Sequence, residues 1–356
     1  MKNWTKAIGS LALLSTAAIS MGAAALPADD VRLTGAGSTF AQPLFERWAG
    51  EYQKKNPTVK VEYSGGGSGA GIKAITDKTV SFAASDAPMN AKELTAAGGK
   101  DAIVEVPICT GAVVPAYNLP GVTQELKFTG ELLAEIFTGK VAKWNDAKIA
   151  AINPGIKLPD LAITPAWRTD GSGTTFVFTN YLATQSETFK SSIGTGKQVK
   201  WPVGQGGKGN PGVAAVVQQT AGSIGYIELN YAEANKIAYG QVKNKDGKFV
   251  KASIESVTAA GEAAATTMKG NHLTADIWNQ PGEKSYPISA FAYLIVYKDL
   301  GNIKSMSDAD ALVAFARWAV SDDAQKLAKE MTYAPLSKSV QTKIEETLKT
   351  VKFSGK

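Results

Sequence analysis

Trp167-Arg168-Thr169-Asp170-Gly171-Ser172-Gly173-Thr174-Thr175-Phe176-Val177-Phe178 reads as a loop that ends by opening a helix. Gly171 and Gly173 let the backbone turn tightly and approach a ligand closely. Ser172 and Thr174 are N-cap residue types, and Phe176, Val177, Phe178, Tyr181 and Leu182 supply an apolar helical face. A helix start leaves backbone N–H groups unpaired and carries partial positive charge, which suits an anion. Arg168 adds a planar, permanently charged fork matched to a tetrahedral oxyanion. The same letters also fit a capped surface helix whose Arg168 pairs with Asp170.

Two upstream stretches repeat the theme. Gly37-Ser38-Thr39-Phe40 follows a short strand at 31–34, and Gly67-Ser68-Gly69-Ala70-Gly71 follows an alternating strand at 59–63. Each runs into a helix, and three such starts can converge on one anion with few charged side chains. A third strand at 80–84 ends in Ser85-Asp86-Ala87-Pro88. Strand, glycine loop, helix, strand predicts an α/β protein with a mostly parallel sheet, whose ligands bind beyond the carboxyl ends of the strands. A second unit begins near Gly111, and the long apolar strand at 286–297 returns to the first. The expected domains are therefore 26–110 with 288–356, and 111–287. Helices at 308–321, 322–331 and 339–351 close the chain.

Asp86 is at odds with an anion site, since a carboxylate repels an anion. Its ordinary reading is a turn residue before Pro88. Its functional reading requires a ligand that carries a proton, as phosphate does at neutral pH and fully ionised sulfate does not. Mismatch of such a buried group discriminates between ligands.

The rest of the composition excludes more than it suggests. Met1 to Ala25 carries Lys2 and Lys6, an apolar run and a small-residue end, the pattern of a secretory signal peptide cleaved after Ala25 or Ala28. The chain's single cysteine, Cys109, forbids an internal disulfide and reads as a buried small hydrophobe. With His272 the only histidine, neither a zinc site nor a Cys–His dyad is expected, and no cofactor motif is met. Gly204-Gln205-Gly206-Gly207-Lys208-Gly209 imitates a dinucleotide fingerprint, but Pro202 interrupts the approach and a helix-opening loop is the better reading. No Gly-x-Ser-x-Gly elbow is present. The net charge of +6 is carried by scattered lysines, so an anionic ligand is favoured and nucleic acid is not. Trp144, Trp167, Trp201 and Trp318 adjoin apolar residues and read as core.

Four motifs carry a resemblance. They are Leu33-Thr34-Gly35-Ala36-Gly37-Ser38-Thr39-Phe40, Ser81-Phe82-Ala83-Ala84-Ser85-Asp86-Ala87-Pro88, Arg168-Thr169-Asp170-Gly171-Ser172-Gly173-Thr174, and Trp201-Pro202-Val203-Gly204 running on to Gly207-Lys208-Gly209-Asn210. Across essentially its whole mature length the chain resembles the periplasmic phosphate-binding proteins of phosphate ABC transporters. The resemblance implies a type II periplasmic binding protein, two α/β domains joined by two crossovers and closing on one phosphate. It implies a monomer in the periplasm that hands phosphate to a membrane permease. Carried over by position, Thr39, the Phe40 N–H, Ser68 and Asp86 would hold the anion from one domain. Arg168, Ser172, Gly173 and Thr174 would do so from the other, with Ser38 and Asp170 in support. Gly69 and Ala70 stand where relatives often have Ser and Gly. The competing readings are a secreted phosphatase using Ser38 or Ser172, and a receptor for another oxyanion.

Overall fold

The computed structural model describes residues 30–268, 270 and 272–355; the expected signal peptide lies outside the described residues. Strands β1 (Val31–Gly37), β2 (Val59–Gly65) and β3 (Phe82–Ser85) run parallel in the order β2-β1-β3. Helices α1 (Gln42–Lys55) and α2 (Ser68–Thr76) connect them. The apolar stripe of α1, Leu44, Phe45, Trp48 and Tyr52, is buried, with Phe45 stacked 4.3 Å from Tyr63. Helix α3 (Ala91–Ala96) follows, its N-terminus closed by an Asn90/Glu93 capping box.

Strand β4 (Ile103–Tyr117) is buried along its whole length, Cys109 included. After it come β5 (Lys127–Phe128), α4 (Gly130–Phe137), α5 (Ala147–Ile152), β6 (Thr164–Arg168) and α6 (Gly173–Gln185). Next are α7 (Glu187–Ser192), β7 (Gln205–Gly207), α8 (Gly209–Gln219), β8 (Ser223–Glu228) and α9 (Leu229–Ala234). The chain continues through β9 (Ala238–Tyr239), β10 (Gln241–Lys243), β11 (Phe249–Val250) and α10 (Ile254–Ala264). It ends with β12 (Ser289–Tyr297), α11 (Met306–Ala319), α12 (Asp322–Glu330) and α13 (Lys338–Leu348).

The main sheet runs β2-β1-β3-β12-β4-β8-β6-β7. Its middle is antiparallel because β4 serves both sides. Residues 103–112 of β4 pair with β12, and residues 113–117 pair with β8. The first half of the sheet (β1 to β3, with β12) and the second half (β6 to β8) thus share one continuous strand. A small sheet, β11-β10-β5, includes an antiparallel hairpin of β10 and β11.

Three expectations need adjustment. The 204–209 loop does not simply open a helix; it contains β7, which pairs with β6 before α8 starts at Gly209. Glycines have no side-chain pattern to betray a strand, and here the ladder bonds of β6 recruit them. The 37–40 loop is a turn that precedes α1, held by Ser38 Oγ accepting from the Phe40 and Ala41 N–H groups. Of the four tryptophans, Trp144 is fully buried while Trp167, Trp201 and Trp318 are half-buried at the edge of the core.

Candidate functional site

The loops after β1, β2, β3 and β6 meet between the two halves of the sheet, at strand carboxyl ends. Gly67 sits at φ +90°, and a Cβ there would lie 2.1 Å from Asp170 Oδ2. Only glycine lets these two loops touch. Gly69 N then donates to Gly171 O at 2.8 Å, backbone to backbone.

Asp86, 3% exposed, ends in the middle of three hydroxyl groups. Ser38 Oγ and Ser68 Oγ donate to Asp86 Oδ1 at 2.5 and 2.9 Å, and Thr174 Oγ1 donates to Oδ2 at 3.1 Å. Each hydroxyl in turn accepts N–H groups. Ser38 takes Phe40 N at 3.0 Å, Ser68 takes Gly173 N at 3.1 Å, and Thr174 takes Arg168 Nη1 at 3.2 Å. Every shared hydroxyl proton therefore runs toward one carboxylate, and the N–H donors stand behind the hydroxyl oxygens. Burial pushes the Asp86 carboxyl up from its ordinary value; the Ser38 bond, the Arg168 charge and the Ser68 and Thr174 bonds only partly offset this.

Arg168 is equally buried, at 3% exposed. Asp170 grips it with both oxygens, Nε to Oδ1 at 2.8 Å and Nη2 to Oδ2 at 2.5 Å. Gly209 N also donates to Asp170 Oδ1 at 2.9 Å. Burial raises the Asp170 carboxyl, but the Arg168 bonds and charge, with Gly209 N–H, outweigh it and the net shift is downward. The Arg168 main chain is fixed by its N–H donating to Tyr226 OH at 3.1 Å, and Tyr226 stacks on Phe178 of α6. The pair that a surface helix would expose is thus inside the protein.

Ser172 is the N-cap of α6, its hydroxyl accepting from Thr175 N at 2.9 Å. Thr39 Oγ1 accepts from Asn210 N and Nδ2 at 3.0 and 3.1 Å, so the first loop also meets α8. The Phe40 ring is fully buried under Tyr333. Of the residues expected to hold an anion, Thr39, Phe40, Ser68, Asp86, Arg168, Gly173 and Thr174, with Ser38 and Asp170 in support, form this one connected cluster. Ser172 adjoins it through its helix cap.

A family model described as a PBP superfamily domain matches residues 22–323. The phosphate-binding protein PstS of Pasteurella multocida is 42% identical over 319 residues, covering 89% of this chain and 90% of the relative. The chain belongs to the PstS family. PstS of Methanocaldococcus jannaschii is 37% identical over 309 residues, 82% of this chain and 78% of its own. In three dimensions this PstS-family chain is similar to a high-affinity periplasmic phosphate-binding protein, PfluDING, bound with phosphate. That likeness has a TM-score of 0.70 at 19% identity, over 88% of this chain and 93% of that one. A phosphate-binding protein from Stenotrophomonas maltophilia gives a TM-score of 0.67 at 17% identity, with the same coverage. These structures establish the type II binding-protein fold.

The cluster has members that sequence reasoning did not single out. Asn210 Nδ2 bridges Thr39 and Thr174, while its Oδ1 accepts from Glu228 N. Tyr231 OH donates to Thr39 O at 2.7 Å. Lys197 Nζ bonds Glu93 Oε2 at 2.6 Å, joining α3 to the far half of the sheet. Asn210 closes the Gly-Lys-Gly-Asn run already noticed, so its position was available as a signal; Lys197 and Tyr231 carry none.

Proposed function

We propose that this chain is a receptor that binds inorganic phosphate between the halves of its sheet and delivers it to an ABC transporter for uptake. The names of its relatives support a binding protein rather than an enzyme. The observation that carries the phosphate reading is Asp86 surrounded by three hydroxyls beside Arg168. In this reading the ligand brings its own proton to Asp86 and its oxygens take the Phe40, Gly173 and Asn210 donors, the hydroxyls and Arg168. Ser172 completes the cradle. Sulfate, without a proton, would leave two acceptors facing each other, an arrangement worth several kcal/mol of rejection, about 1–3 kcal/mol per unpaired buried group.

The sheet halves would act as two domains, 26–110 with 288–356 and 111–287, closing about β4 and the entry to β12. Met1 to Ala25 would direct export to the periplasm, where the closed form meets the permease as a monomer. Among the described residues no helix is long and apolar enough to cross a membrane.

Equilibrium dialysis of the phosphate-stripped protein against labelled phosphate, with unlabelled sulfate and arsenate as competitors, tests the reading. One site per chain, displaced by phosphate and arsenate but not sulfate, is expected. Turnover of a chromogenic phosphate ester would favour the phosphatase reading. Against that reading, the hydrogen bonds of His272 go to Glu105 and the Lys100 carbonyl, and among the described residues none goes to either candidate serine.

A further inference from the structure

Glu228 ends β8 fully buried, and no lysine, arginine or histidine among the described residues forms an ion pair with it. Its Oε1 has no hydrogen-bond partner among the described residues. Its Oε2 accepts from Asn230 N at 2.8 Å and lies 3.3 Å from the Tyr333 hydroxyl. That hydroxyl lies 2.7 Å from the Phe40 carbonyl. A phenol has one proton, so beside an ionised Glu228 it faces two acceptors and satisfies one. With a proton on Glu228 the chain of bonds closes: the carboxyl donates to Tyr333, and Tyr333 donates to Phe40 O.

The same corner of β8 and α9 reaches the first half of the sheet twice more. Tyr231 OH donates to Thr39 O, and Asn230 Nδ2 donates to Met331 O at 3.1 Å. The carbonyl of Thr39 is therefore anchored from this corner directly and that of Phe40 through Tyr333, which lies against Glu228, and their orientation sets that of the neighbouring N–H groups. The titratable groups facing Glu228 are Asp86 beyond β3, Cys109 on β4, Tyr231 on α9 and Tyr333 after α12. None of them is a cation. Burial pushes the Glu228 carboxyl well above its ordinary value; the Asn230 N–H and Tyr333 bonds offset this in part, and the charge of Asp86 adds to it.

We propose that Glu228 is a positioning residue held as the neutral acid, which orients the Thr39–Phe40 main chain toward the anion, and that its ionisation expels the anion. This rests on the phosphate-receptor reading. Losing the proton breaks the bond to Tyr333 and places a second buried negative charge near the ligand. By linkage, bound phosphate holds that proton more tightly.

The test is the pH profile of phosphate affinity for wild type and Glu228→Gln, whose amide keeps a donor for Tyr333. Wild-type affinity is expected to fall on the alkaline side, approaching about tenfold per pH unit for one linked proton, and the variant should lack that slope. Superimposable profiles would overturn the proposal. If the variant does not fold, wild type labelled with 13C at glutamate carboxyls decides the matter. One carboxyl signal at neutral pH should sit at the position of the protonated acid; a full set of ionised signals would overturn the proposal. Failure of wild type to bind phosphate would strike the receptor reading instead, and the carboxyl spectrum would still decide the state of Glu228.

Discussion

Thr174, in the first turn of α6, donates its hydroxyl to Asp86 Oδ2 across the junction of the two halves of the sheet, and Thr174 Oγ1 itself accepts from Arg168 Nη1. The positive fork and the buried carboxylate are thus joined through one hydroxyl rather than paired directly. Asp170 neutralises the arginine, and Asp86 is left as an acceptor without a dedicated cation. A ligand bearing both negative oxygens and a proton suits that arrangement.

Arg168→Ala should weaken phosphate binding by roughly 30-fold or more, since removing one partner of a buried charge pair costs about 2–5 kcal/mol. Calorimetric titration measures it, with a thermal melt alongside because Asp170 also loses its partner. Affinity equal to wild type would remove Arg168 from the site.

Gly173→Ala tests whether the halves must come together. A Cβ there would lie 2.4 Å from Asp86 Cγ and 2.6 Å from Ser68 Oγ. The variant should fold, because the added methyl sits at a helix start, yet lose phosphate binding and the compaction that the proposed closure would bring. Small-angle scattering with and without phosphate reports this, and a wild-type response would contradict it.

Removing the Asp86 charge should stabilise the empty protein. Its folded-state pKa is raised by burial, so its contribution to stability is fully present below the unfolded value and is lost as pH rises through the folded one. Asp86→Asn should therefore melt higher than wild type at neutral pH without phosphate, and the gap should close in acid. A lower melting temperature at neutral pH would mean that the three hydroxyl bonds outweigh the burial of the charge.

The opposite end of the Asp86 loop gives an independent pH prediction. Glu105 Oε1 accepts Met89 N at 2.8 Å, and Oε2 holds His272 Nδ1 at 2.6 Å. His272 is raised from its ordinary value of 6.5, chiefly by the bond to Glu105 and against the effect of burial. Its contribution is complete below about pH 6.5 and fades as pH rises through the raised value. His272→Gln should lower the melting temperature more in mild acid than at pH 9; an equal loss at both would deny the charged pair.

Much of this was legible in the sequence because the relevant signals are local. Gly67, Ser68 and Gly173 announce tight turns and helix starts, and the apolar spacing of Leu44, Phe45, Trp48 and Tyr52 marks a buried helix face. The strand at 205–207 was hidden because glycine offers no alternation, and only its partner β6 makes it a strand. Glu228, Tyr231 and Tyr333 were hidden for another reason. Their roles arise from contacts with residues far away in the chain, such as Phe40 and Thr39, and no spacing rule encodes a bond of that range.

In the proposed receptor, Asp86 admits phosphate because phosphate brings a proton and sulfate does not. Titrating wild type and Asp86→Asn with both anions at one pH tests it directly. Wild type should bind phosphate and reject sulfate, and the selectivity ratio should be at least about tenfold smaller in Asp86→Asn, about 1.4 kcal/mol. Equal sulfate and phosphate binding by wild type, or an unaltered ratio in the variant, would contradict it.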